Sequence, residues 1–177
     1  MTTSRFEAKH AREDAVVVRT AQDGQPGAFT RLYERYAPFI HGVLLARVAP
    51  ADVDDLVQDV FLAAWKNLGT LRDPAAFGGW LSMMARNRAA DLHRREVQSI
   101  ELPADLQAPG SVAAEIEARA VLDVIRSLPS AYRETLILRL VEGMTGPEIA
   151  EQTGLTAASV RVNLHRGMKL LREKLNV

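Results

Sequence analysis

The chain has 177 residues, enough for one mid-sized domain or two small ones, and its 47% hydrophobic and 25% charged content is ordinary for a soluble globular protein. Its 22 basic and 22 acidic residues cancel to a formal net charge of +0, so it is not a generically basic nucleic-acid binder and any phosphate contact must come from local patches. It contains no cysteine, which excludes disulfides, thiolate metal sites and a cysteine nucleophile and fits a reducing cytoplasm.

Residues 1–23 mix both signs of charge around a short apolar run, which is not the pattern of a secretory signal. They read as a polar lead with one short helix around Ala15 to Ala21. No apolar run approaches the roughly 18–20 residues a membrane helix needs, so no membrane insertion is expected. From Pro26 the pattern becomes helical, with Phe29, Leu32, Tyr33, Tyr36, Phe39 and Ile40 at steps of three and four. Pro50 closes that segment and Asp52 is placed to cap the next. In the following helix Val53, Leu56, Val60, Phe61, Ala64, Trp65 and Leu68 form the expected buried face, with Asp54, Asp55, Gln58 and Asp59 toward the other side. Asp73-Pro74 is a cap-then-proline start for a helix running to about Glu96.

Composition then shifts. Residues 97–111 carry Pro103, Pro109 and Gly110 with little periodicity, which marks a flexible linker, and Glu96 to Ala120 holds five acids against one base. Helical pattern resumes with Val112 to Ser127 and Pro129 to Val141, the latter with Tyr132, Leu136, Ile137 and Leu140 expected inside. Thr145 and Glu148 have the spacing of a capping box. Gly154 supplies a turn that needs positive φ, and Thr156 can cap a last helix whose apolar stripe is Val160, Leu164, Met168 and Leu171. From Leu155 to Val177 there are five Lys/Arg and one acid, Glu173. This is the pattern of a helix-turn-helix whose second helix enters a DNA major groove. A helical hairpin with a merely solvated basic face is the plainer alternative. The fold class expected is all-α: two small helical domains on a flexible linker, the second containing the helix-turn-helix.

Two further clusters carry chemistry. Between Trp80 and Arg95 lie Arg86, Arg88, Arg94 and Arg95 against Asp91, with Asn87 able both to donate to and accept from a base edge. The acidic helix around Asp54, Asp55 and Asp59 has neither ligand-spaced histidine nor a glycine-rich calcium loop, so a partner-docking surface is the better reading than a metal or catalytic site. Nucleophile elbow, P-loop, dinucleotide and zincin motifs are all absent, and the four histidines are scattered. Neither catalytic residue nor metal nor cofactor is expected.

With both modules in view, the chain resembles a bacterial RNA polymerase sigma factor of the extracytoplasmic-function, sigma-70-related group, from about Gly24 to Leu175. DDLVQDVFLAAWKNL resembles the segment that docks on the clamp coiled coil of core polymerase, FGGWLSMMARNRAADLHRR the segment that reads the minus-ten element, and SLPSAYRETLILRLVEGMTGPEIAEQTGLTAASVRVNLHRGMKLLREKL the domain that reads the minus-thirty-five element.

The resemblance implies a region 2-like domain over 24–96 and a region 4-like domain over 112–177. It implies core-polymerase contacts at Asp54, Asp55, Gln58 and Phe61. For the minus-ten element it implies Leu71, Arg86, Asn87, Arg88, Arg94 and Arg95. For the minus-thirty-five element it implies Thr156, Ser159, Arg161, Val162, His165, Arg166 and Lys169. Leu71 stands where some relatives carry an aromatic; Val162 and Asn163 replace a common Ser-Arg pair, and Gly167 a common Ala. The implied partners are core polymerase (clamp coiled coil and flap), promoter DNA and an anti-sigma factor, with action in the cytoplasm, in a stress or envelope response. The rival class is a one-component helix-turn-helix regulator with an N-terminal ligand-binding or dimerisation bundle, which should fail to bind core polymerase.

Overall fold

A computed structural model describes residues 3–98 and 112–176. Within them the chain forms eight α-helices: α1 (Thr3–Gln22), α2 (Pro26–Leu45), α3 (Val53–Asn67), α4 (Phe77–Gln98), α5 (Val112–Arg126), α6 (Ser130–Leu140), α7 (Gly146–Thr153) and α8 (Ala157–Leu175). No strand occurs among the described residues. The expected linker begins inside α4, which runs to Gln98; residues 99–111 lie outside the described residues.

The first domain is built on α2. Leu32, Tyr36, Phe39, Ile40, Val43 and Leu44 are buried, a stripe wide enough to meet α1, α3 and α4. From α3 come Val53, Val57, Val60, Phe61 and Ala64, and from α4 Phe77, Leu81, Ala85 and Ala89 at steps of four. Ala85 and Ala89 are small, which lets helix axes approach closely. Asp52 makes no side-chain cap: a 3-10 turn over Pro50–Asp52 runs straight into α3, with Val53 N–H bonded to the Pro50 carbonyl. Asp73 does cap its turn, accepting from Ala75 N–H at 3.0 Å.

The N-terminal lead is more ordered than composition suggests. The short helix expected at Ala15 to Ala21 is part of α1, and Val18 and Ala21 are buried. Tyr36 donates its hydroxyl to Asp14 Oδ2 at 2.7 Å, and Arg35 meets Asp14 Oδ1 at 2.9 Å. Burial and the Asp14 carboxylate both push the Tyr36 phenol far above its ordinary pKa, so it stays a donor. Gln22 Nε2 donates to the carbonyls of Leu68 and Leu71 at 3.0 and 2.9 Å, pinning the α3–α4 connection.

In the second domain α6 is the central element. Five consecutive residues, Glu134 to Leu138, are buried. A helix buries five in a row only when it is covered on more than one side, and α6 is: α8 lies against one flank and α2 of the first domain against another. Leu140, expected inside, is 48% exposed; Leu138 faces inward instead. Trp65, also expected inside, is 45% exposed, because its ring leans edge-on against Phe29 (centroids 4.8 Å apart) and leaves one side open.

Candidate nucleic-acid interface

The helix-turn-helix forms from local chemistry. Glu148 accepts from Thr145 N–H and from Thr145 Oγ1, both at 2.7 Å, while Thr145 Oγ1 accepts from Glu148 N–H at 3.4 Å. These bonds satisfy donors that the first turn of α7 would leave open. Gly154 ends α7 at φ 74°, in the left-handed region, and its N–H bonds to the Ala150 carbonyl. Thr156 Oγ1 then accepts from Ser159 N–H at 3.1 Å, starting α8. Ile149, Ala150, Val160 and Leu171 are buried and lock α7, α8 and α6 together. Gly167 is buried where α8 crosses α6; a Cβ there would stand 3.0 Å from Leu136 Cδ1 and 3.2 Å from Tyr132 Cβ. Its place in the sequence therefore reflects helix packing.

With that side fixed inward, Arg161, Val162, His165, Arg166 and Lys169 are all exposed along one side of α8, at steps of one and three. Lys169 reaches Glu173 at 3.9 Å, a weak surface pair. Thr156 and Ser159 are engaged with each other at the helix start, Oγ to Oγ 2.8 Å, while Thr156 stays exposed. Such a row of donors on a protruding helix suits phosphate oxygens and major-groove base edges. A groove of about 690 Å³ runs beside it between α6 and α8, with Leu140, Leu164 and Met168 in its wall.

On α4, Asn87, Arg88, Arg94 and Arg95 are exposed, and Arg94 pairs with Asp91. The other two candidates for this surface stand differently. Leu71 is buried at 9% exposure and anchored through its carbonyl to Gln22. Arg86 is half-buried and turned to α6, where its Nη2 meets Glu134 Oε1 at 2.9 Å.

On α3, Asp54, Asp55, Gln58 and Asp59 are exposed along one side. Phe61 is not: it is 4% exposed, packed edge-on to Tyr33 and Phe29 with centroids 4.7 and 6.4 Å away. The apolar side chains open to solvent nearby are Leu62 at 57% and Trp65. Alternation within a helix could have flagged Leu62, which breaks the polar side of the stripe.

Residues that sequence reasoning passed over lie between the domains: Arg47, Glu134, His41 and Glu142. His41 Nδ1 and Glu142 Oε1 are 2.6 Å apart, and this hydrogen bond raises the imidazole pKa above its ordinary value although burial opposes the shift. Among the described residues no group of three or more His, Asp or Glu is arranged to hold a metal, and no helix is long and apolar enough to cross a membrane.

Comparison with known proteins bears on the family and the fold. The Sigma-70 region 2 family model matches residues 32–98, and the Sigma-70, region 4 model matches residues 118–171. The RNA polymerase sigma factor NccH of Alcaligenes xylosoxydans xylosoxydans is 32% identical over 171 residues, covering 86% of this chain and 89% of the relative. The ECF RNA polymerase sigma-E factor of Haemophilus influenzae is 27% identical, covering 92% of this chain and 95% of that one. Among solved structures, CnrH in complex with the cytosolic domain of CnrY superposes with a TM-score of 0.63 at 28% identity, over 92% of this chain and 97% of CnrH.

Proposed function

Because the chain belongs to the sigma-70 family of RNA polymerase sigma factors, in its extracytoplasmic-function group, we propose that three of its surfaces divide the work of directing core polymerase to a promoter. The exposed side of α3, with Asp54, Asp55 and Gln58 beside Leu62 and Trp65, docks on the clamp coiled coil. Carboxylates around an exposed apolar centre suit a basic partner helix, the charges steering encounter and the apolar side chains supplying affinity. The basic side of α4, with Asn87 and Arg88 foremost, meets the minus-ten element. Arg161, His165 and Arg166 of α8 read the minus-thirty-five element, and Val162 and Lys169 flank them. The α6–α8 groove is the contact for the polymerase flap.

The observation that carries this reading is the row of exposed basic donors on a fully capped helix-turn-helix, in a chain whose net charge is zero. So small a patch binds DNA weakly alone. Polymerase supplies the missing affinity: once it holds one domain on its element, the second contact becomes intramolecular. Base contacts then set specificity and phosphate contacts set register.

The chain acts in the cytoplasm, makes and breaks no covalent bond and needs no cofactor. An anti-sigma factor restrains it, a reading supported by the similarity to CnrH, which is held in complex with the cytosolic domain of CnrY; envelope or other stress is the signal. The region 2-like domain occupies 24–96 and the region 4-like domain 112–177. The test is run-off transcription on a genomic fragment pool with purified core polymerase. Discrete transcripts that depend on the chain support the proposal, whereas a chain that fails to bind core polymerase belongs to another class of regulator.

A further inference from the structure

The region 2 match starts at residue 32, so α1 (Thr3–Gln22) lies outside it. This helix nonetheless ends on a specific contact. Gln22, its last residue, donates from Nε2 to the carbonyls of Leu68 at 3.0 Å and Leu71 at 2.9 Å, 46 and 49 positions away. A primary amide has two N–H donors, and both are used here. The two carbonyls belong to the two ends of one turn: Leu71 N–H donates to the Leu68 carbonyl at 3.2 Å, across the 3-10 stretch Leu68–Thr70. Gln22 therefore clasps the turn from outside, and its side chain bears on the shape of that turn as well as on packing.

The clasp decides what the α3–α4 connection shows to solvent. Leu68, Leu71 and Pro74 are buried, whereas Gly69, Thr70, Arg72 and Asp73 are exposed. Beyond them α1 also packs against the short turn Pro74–Ala76 that leads into α4. From there Ala76, Gly79, Met83 and Asn87 are exposed at steps of three, four and four. One open stripe of α4 thus runs from the connection to Asn87. From Phe77 to Asn87 the helix rises about 15 Å. That is roughly four base steps of a DNA strand at about 3.4 Å each. A strand that lies along this stripe and reaches Asn87 also reaches the connection.

We propose that Gln22 is a positioning residue for promoter recognition: by holding both ends of the Leu68–Leu71 turn, it sets where Thr70 and Arg72 stand against the minus-ten strand and so tunes which base is preferred there. The inference deepens the promoter-reading function above and rests on it. Gln22 itself touches no DNA; it acts through the backbone of the connection. Leu71 is the anchor of this segment, and the exposed side chains on either side of it are the readers. The Thr70 hydroxyl donates to the Asn67 carbonyl at 2.7 Å, which leaves its lone pairs to accept from a base edge or a bridging water. Arg72 offers a planar fork of donors. Discrimination between bases needs such groups held to about 0.5 Å, and a connection released from Gln22 would average over several shapes.

The test uses the full chain with purified core polymerase, on a promoter recovered from a genomic fragment pool and then randomised across each element in turn. Gln22→Met keeps the length of the side chain but donates nothing, and Gln22→Lys restores donors at similar reach. Gln22→Met should bind core polymerase as wild type does and keep its minus-thirty-five preferences. It should lose about fivefold of base preference at one or two minus-ten positions, the scale of one weakened base contact. Gln22→Lys should regain the wild-type preferences. In the free chain the Leu71 amide should exchange its hydrogen faster in Gln22→Met than in wild type. Should Gln22→Met fail to fold by circular dichroism, Arg72→Ala, at an exposed position, decides: it should lower preference at one or two minus-ten positions. Unchanged minus-ten preferences in a folded Gln22→Met or in Arg72→Ala overturn the proposal. So does an equal loss at both elements, or a Gln22→Lys chain that behaves like Gln22→Met. A wild-type chain that gives no run-off at all refutes the promoter-reading function, and this role with it.

Discussion

Glu134 and Arg86, 48 positions apart, meet at 2.9 Å across the boundary between the two halves of the chain. The carboxylate comes from the helix-turn-helix domain and the guanidinium from the helix beginning at Phe77, whose neighbouring residues Asn87 and Arg88 remain exposed. One side chain proposed for promoter contact is therefore committed to the protein itself, whereas those beside it are open to solvent.

Arg166 is exposed on α8 and makes no contact that the fold depends on. Arg166→Ala should leave the melting temperature within the range set by about 0.5 kcal/mol while lowering promoter-specific run-off about tenfold, the scale of one lost base contact. If the contact is to phosphate, the salt slope of promoter binding should fall by roughly one and sequence preference should be unchanged. Undiminished run-off would remove Arg166 from the interface.

Adjacent residues on α3 should separate stability from docking. Phe61→Ala removes a buried ring and should cost about 3–5 kcal/mol in denaturant titration. Leu62→Ala, at a site 57% exposed, should change stability by less than about 0.5 kcal/mol yet weaken binding to core polymerase several-fold. Asp55→Ala should also weaken it, more so at low salt, because an exposed charge acts over a Debye length of about 10 Å at 0.1 M salt. Equal polymerase affinity for Leu62→Ala and wild type would show that this side of α3 is not used.

The pairing of His41 with Glu142 makes the contact between α2 and the second domain sensitive to pH. A raised histidine pKa means the folded chain holds that proton more tightly than the unfolded chain does. The stabilisation is fully present below the ordinary value of 6.5 and is lost as pH climbs through the raised one. Glu142 supplies most of the effect, Asp54 adds to it and burial opposes it. Denaturant titrations from about pH 6 to 8 should show a steeper loss of stability in wild type than in His41→Ala. Parallel pH profiles would count against the pair.

Gly154 is exposed, and no atom crowds the space a Cβ would take. Gly154→Ala should still destabilise by about 1–2 kcal/mol, since φ of 74° is costly for any residue with a Cβ. Thermal unfolding checks this; an unchanged midpoint would mean that the turn relaxes to negative φ.

What the sequence determined alone is everything whose physics is local. The capping box, the glycine turn and the Thr156 cap each join residues no more than four positions apart, so their bonds could be read from spacing, and they orient the basic side of α8. The same holds for the stripes of α2 and α8. Periodicity says which side of a helix is buried but not what buries it. That was left to tertiary structure, and it decided the fate of the polar residues. Asp14 is held by Tyr36, 22 positions away, which orders a lead that composition makes look loose. Glu134 lies in a pattern that reads as solvated surface, and only the folding of α6 against α2, with α7 against α4, brings Arg47 and Arg86 to it, 87 and 48 positions distant. A charge becomes a structural element only when its partner arrives, and the partner is supplied by a fold that no short window of sequence contains.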